Sequence, residues 1–280
     1  MRNLLRSNFS RLWRSKLFYL CVALMCADAA YAVINNYHYK RLWAISAITP
    51  DGILLIGAQL LPILIAVFMA FFVGVEHSGK TLHNKLVMGH TRTEIYLSYL
   101  ITCGVAALLM HVLSMGVVFV AGVSLLGGFR HAAILFPQAL CSLLSTLGFV
   151  ALFLMPALVI DRRAVGVIVL LLLALFLSLY LSDALAIALG EPAFDMNIER
   201  DAAGEVILVP DYSSPNPKHI SGVPRAALQL LYDFLPNGQM YQYRPDVQPQ
   251  HFSRFPLYSL LLQAGAAALG CYVFRRRDLK

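Results

Sequence analysis

Six runs of uncharged, mostly apolar residues divide the chain, each as long as a membrane-crossing helix. They cover residues 17–34, 53–75, a stretch within 95–129, a stretch within 132–160, about 164–189, and 256–274. A helix rises about 1.5 Å per residue, so about 20 residues cross some 30 Å of hydrocarbon with every backbone bond satisfied internally. The runs are continuous rather than alternating. That excludes an outer-membrane barrel, whose strands alternate over about 10 residues. The pattern predicts an all-α integral membrane protein with six transmembrane helices, five within residues 17–189 and the sixth at 256–274. Asp28 and Asp183 interrupt the first and fifth runs in their outer thirds, where exposure at the interface accounts for them as well as a place on a substrate path. Pro62, Pro137 and Pro156 are expected to bend or begin helices.

Three segments lie outside the runs. In residues 1–16, Leu5, Phe9, Leu12 and Trp13 share a helical stripe, with Arg6, Arg11 and Arg14 off it. This predicts a cytoplasmic amphipathic helix in the membrane interface, arginines at phosphates. The basic start resembles a signal peptide, but residues 17–34 are long for its apolar core and no convincing cleavage site precedes Asn35, so the first span is expected to be retained. Residues 190–255 form the only large polar insert and are rich in Pro and Gly. One helix stands out there, capped at Ser221 or Gly222, with Pro224 in its first turn, Ala227, Leu228, Leu231 and Leu235 on one face, and an end at Pro236-Asn237-Gly238. So small an insert is expected to lean on the spans or on a second copy. Residues 275–280 are a basic tail.

Composition agrees with a membrane protein. Of 280 residues, 59% are hydrophobic and 13% charged, where a soluble domain has about half and a quarter. Disorder is excluded for the same reason. The net charge of +7 reports topology rather than a nucleic-acid partner. Fourteen of the 22 Lys and Arg residues fall in residues 1–16, in the second-to-third and fourth-to-fifth connections, and in the tail. Basic loops stay inside, so both termini are expected in the cytoplasm, with the 190–255 insert extracytoplasmic. Cys21, Cys26, Cys103, Cys141 and Cys271 all lie in apolar stretches, which fits packing rather than disulfides or metal ligation.

Two motifs suggest chemistry and fail on context. Residues 74–81 match G-x-x-x-x-G-K-[ST]. A phosphate loop needs a strand before it and a sheet beneath it, whereas Gly74 closes a membrane span. His111 and Ser114 in the third run have no orienting acid or nucleophile elbow. No catalytic, cofactor or metal site is expected, and the chain is not read as an enzyme.

The segment from Glu76 to Tyr96 resembles the loop after the second span of ABC-2 type permeases, the membrane subunits of bacterial ATP-binding-cassette exporters. The resemblance rests on Glu76, Thr81, Asn84, Lys85, Leu86, Gly89, Arg92, Ile95 and Tyr96. His77, Lys80 and His83 depart from the usual Tyr, Gly and Arg. Residues 216–225 and 231–239 are also similar to family segments, as are the basic start and the insert before the last span. The resemblance implies a permease forming half of a pathway in the bacterial cell membrane. It implies a cytoplasmic ABC ATPase partner, with ATP-Mg on that subunit and none here, and a second permease copy. It makes 76–96 a coupling loop, with Glu76, Thr81, Asn84, Lys85, Gly89 and Arg92 as docking residues and Glu76 within reach of Lys80. The rival reading is a non-transporting sensor or immunity protein whose insert binds a peptide.

Overall fold

The computed structural model describes the chain except residues 44–47, 79–80, 161, 201–205, 244, 246–247 and 277–280, and except the side chains of 76–78, 81–83, 163, 199–200 and 206–208. Six helices are long and apolar enough to span a membrane: Lys16–Leu42, Pro50–Val75, Arg92–Leu126, Ala132–Val159, Ala164–Gly190 and Phe252–Arg276. Both described ends of the chain, Arg2–Trp13 and the close of the sixth span, lie at one end of the bundle with the second-to-third connection. The insert lies at the other.

The spans differ from the sequence reading at defined places. The first does not stop at Ile34 but continues to Leu42, because a helix leaving the membrane needs capped backbone rather than apolar side chains. Asn36 Nδ2 donates back to Ala32 O at 2.9 Å, and Lys40 Nζ donates to Leu126 O where the third span ends. Asp28 therefore sits near the midpoint of its helix rather than in an outer third.

The second span opens through two 3₁₀ turns, Pro50–Ile53 and Ile56–Ala58, before a regular helix runs from Leu61 to Ser78. Pro62 lies in the first turn of that helix, where its missing N–H costs nothing. Asp51 is buried in the first 3₁₀ turn. Its carboxylate accepts the backbone N–H of Arg130 at 3.0 Å and of His131 at 2.7 Å, capping the start of the fourth span from a distant segment.

The third and fifth spans each contain a π-helical segment, Val118–Gly122 and Phe176–Leu181. Packing centres on aromatic and aliphatic side chains of the second, third and fourth spans, among them Phe68, Tyr96, Tyr99, Phe149 and Phe153. Without a hydrophobic force between helices in lipid, close packing and buried hydrogen bonds hold such bundles together. His111 Nδ1 pairs with Thr146 Oγ1 at 2.8 Å across the third and fourth spans, a structural contact.

The insert has two parts. Strands β1 (Phe194–Arg200) and β2 (Val206–Pro215) pair antiparallel, a small sheet absent from the all-helical expectation. Its base is tied to the fifth span's end. Arg225 donates to Leu189 O at 2.8 Å, and Asn216 Nδ2 donates to Glu191 Oε2 at 3.0 Å. The expected helix runs Gly222–Phe234, with Leu228 and Leu235 against Leu185 and Leu189. Pro236 does not end the helical region. It occupies the first turn of a second short helix, Pro236–Gln242, that packs on the fourth and fifth spans. Gly148 receives it: a Cβ there would stand 3.0 Å from Pro236 Cγ.

Candidate functional site

The second-to-third connection folds as a short helix, Thr81–Val87, closed by a Schellman turn. His90 N–H reaches Lys85 O at 3.2 Å, and Gly89 N–H reaches Leu86 O at 2.9 Å. Gly89 has φ +86°, a conformation that glycine alone adopts without strain. The third span then starts with a capping box. Glu94 N–H donates to Thr91 Oγ1, and Thr91 N–H to Glu94 Oε2. Stop and start signals two residues apart fix the angle of this helix to the bundle.

The six residues expected at the docking site divide. Asn84 is exposed. Lys85 is turned inward: its Nζ donates to Tyr99 Oη at 2.6 Å and to Asn8 Oδ1 at 3.5 Å. Burial, with Arg11 nearby, lowers the Lys85 ammonium to about 7. Arg92 reaches across to the close of the sixth span, donating to Phe274 O at 3.3 Å and to Arg275 O at 3.0 Å, where a cation suits a helix C-terminus. Gly89 supplies the turn. The side chains of Glu76 and Thr81 lie outside the described residues, as does the expected Glu76–Lys80 pair.

Beside Asn84 stand two residues that the sequence reading did not select. Val87 and Met88 are 74% and 76% exposed at the tip of the helix. The signal was available, as a pair of apolar residues directly before a helix-ending Gly in a loop otherwise rich in polar groups.

The amphipathic helix Arg2–Trp13 buttresses this loop. Leu4, Asn8 and Leu12 are buried against the start of the third span, and Asn8 Nδ2 donates to Ser98 Oγ at 3.1 Å. Arg11 lies 4.1 Å over the Phe72 ring and donates to Phe72 O at 2.8 Å. The stripe expected to face acyl chains is corrected in part. Leu12 faces protein, while Trp13 is exposed and Leu5 and Phe9 are half-buried.

At the opposite end, the insert enters the bundle through two amides. Gln239 is fully buried. Its Oε1 accepts Ser145 Oγ–H at 2.6 Å and Ser259 Oγ–H at 2.9 Å, and its Nε2 donates to Asp233 O at 2.8 Å. Asn237 Nδ2 donates to Leu177 O, Ser178 O and Ser182 Oγ at 3.2, 3.1 and 2.9 Å. A π segment leaves carbonyls out of the ordinary i→i−4 ladder, and Asn237 satisfies two of them. Tyr241 Oη donates to Asp183 at 2.8 Å, so this acid is tied to the insert.

Six spans, a short helix fixed at one end and an insert anchored at the other define a multi-pass membrane protein. A family model described as ABC-2 family transporter protein matches residues 4–181. That is well over half of the chain, so it belongs to the ABC-2 transporter family and is a membrane permease of ABC-type transporters. No curated protein matches the sequence.

Proposed function

We propose that this chain is the permease subunit of an ATP-driven exporter in a bacterial cell membrane, with both termini cytoplasmic. The helix Thr81–Val87 docks in a cleft of a separate ABC ATPase subunit, which binds ATP-Mg. A second permease copy completes the pathway. The observation that carries the reading is the exposed tip formed by Asn84, Val87 and Met88 on a helix held to the bundle through Lys85. An exposed apolar pair on a rigid mount is suited to burial in a partner. Lys85 and Arg92 serve in this reading as braces. They pass movement of the tip to Tyr99 in the third span and to the close of the sixth.

The test is co-purification of the ATPase from native membranes with the wild type and with a Val87→Asp/Met88→Asp variant. Loss of the ATPase from the variant, with unchanged membrane insertion, is expected. Equal recovery of the ATPase, or labelling of a cysteine at position 84 from outside the cell only, would refute the docking role.

A further inference from the structure

A pocket of about 420 Å³ opens where the 3₁₀ entry of the second span, the π segment of the fifth span and the insert helix Pro236–Gln242 meet. Its size is that of sites for drug-sized molecules. Two carboxylates line it, Asp51 and Asp183, and among the described lining residues there is no Lys, Arg or His. Asp51 is engaged as the cap of the fourth span, whereas Asp183 accepts one hydrogen bond, from Tyr241. An ionised carboxylate has about four acceptor positions, so Asp183 retains capacity for a donor.

A second observation points to a ligand independently. Ser178 is only 6% exposed and lines the pocket, yet its hydroxyl has no hydrogen-bond partner. Buried hydroxyls are nearly always satisfied. The π segment sets this residue at the pocket, because Asn237 holds the Ser178 backbone carbonyl at 3.1 Å. The remaining wall mixes apolar residues, Leu55, Leu135 and Met240 among them, with the polar Gln59, Asn237 and Tyr243. Among the described residues no group of three His, Cys, Asp or Glu side chains is placed to hold a metal ion.

We propose that this pocket binds amphipathic organic ammonium ions, with Asp183 as counter-charge, Ser178 Oγ as hydrogen-bond acceptor and Leu55, Leu135 and Met240 against the organic body. Asp183 is exposed at the pocket mouth, and the ammonium N–H groups fill the two vacant acceptor positions. The site is distinct from the ATPase-docking reading and is tested without an ATPase, so either can fail alone.

The experiment is equilibrium dialysis of the full chain in maltoside micelles against 4-phenylbutylammonium, with 4-phenylbutanol and 4-phenylbutyrate as matched probes. The wild type is expected to retain the ammonium at least about 10-fold better than the alcohol, and to exclude the carboxylate. Asp183→Asn should remove that preference and Ser178→Ala should weaken it about 3-fold. Asp28→Asn, outside the pocket, should leave it intact. If Asp183→Asn does not yield folded protein, the three-probe comparison on the wild type decides. Equal retention of ammonium and alcohol by the wild type, or an unchanged preference in folded Asp183→Asn, overturns the proposal.

Discussion

Replacing Gln239 by leucine tests whether the insert is held by its amide or merely rests on the spans. The side chain is fully buried and joins three elements, with short bonds to Ser145, Ser259 and Asp233 at 2.6, 2.9 and 2.8 Å and a longer one to Phe255 O at 3.5 Å. Hydrogen bonds between membrane helices average about 0.6 kcal/mol each, with an upper end near 1.7. Three good ones therefore contribute about 2 kcal/mol. Leucine also leaves orphans. Ser145 Oγ keeps a second acceptor in Cys141 O at 3.1 Å, but the Ser259 hydroxyl has no other partner among the described residues. A buried hydroxyl left unpaired costs about 1 kcal/mol or more. Gln239→Leu should therefore lose about 3 kcal/mol.

The assay is equilibrium unfolding in mixed dodecyl maltoside and SDS micelles, comparing wild type, Gln239→Leu, Ser259→Ala and the double variant. Removing Ser259 from the leucine background should restore about 1 kcal/mol, since both partners are then gone. In the wild-type background the same change should cost stability. A single-variant loss below about 0.5 kcal/mol, or Ser259→Ala losing equally in both backgrounds, would refute the network.

Two further outcomes follow from nearby geometry. A Cβ at Gly238 would stand 2.0 Å from Tyr232 O, a backbone atom, so Gly238→Ala should cost about 3 kcal/mol and lower the thermal midpoint by several degrees; an unchanged midpoint would contradict the tight junction between the insert helices. Lys85 releases its proton near 7 in the folded chain, against 10.5 ordinarily. The unfolded chain then binds more protons between those values, so wild-type stability should rise from pH 7 to pH 10 by more than that of Lys85→Met. Parallel pH profiles of the two proteins would show that the ammonium is not desolvated.

The spans were legible because a continuous apolar run of about 20 residues has few other uses. Their ends were not, because geometry there is set by partners distant in sequence. Residues 53–58 continue without a charge into the apolar helix that follows, yet Asp51 just before them is drawn out of helical register to cap Arg130 and His131, some 80 residues away. Nothing in Pro50-Asp51-Gly52 announces that contact. The hairpin escaped for a related reason. Met196 and Ile198 alternate with polar residues over too few positions to stand out in a Pro- and Gly-rich insert. In the loop, Gly89 was readable from its type, but the direction of Lys85 depended on Tyr99 and Asn8 lying beneath it. A helix turns about 100° per residue, so committing Lys85 to the interior sends Val87 to the far side, while Met88 projects from the turn beyond the helix end.

The N-terminal helix shows why periodicity alone misassigns a face at a membrane surface. A helix in that position has two apolar neighbours, lipid and protein, and the hydrophobic stripe cannot say which neighbour takes which residue. Leu5, Phe9 and Trp13 form one row, and Leu4, Asn8 and Leu12 form another beside it. The second row is less apolar, since Asn8 lies at its centre, yet it is the one buried. Polarity is what selects it. In hydrocarbon an unpaired amide costs several kcal/mol, whereas against the third span Asn8 pairs with Ser98 and meets Lys85. Leu12 then follows Asn8 into the bundle, one turn further on, and Arg11 reaches Phe72. Trp13 remains at the outer surface, where an amphipathic ring suits a membrane interface. The polar residue thus orients the apolar ones.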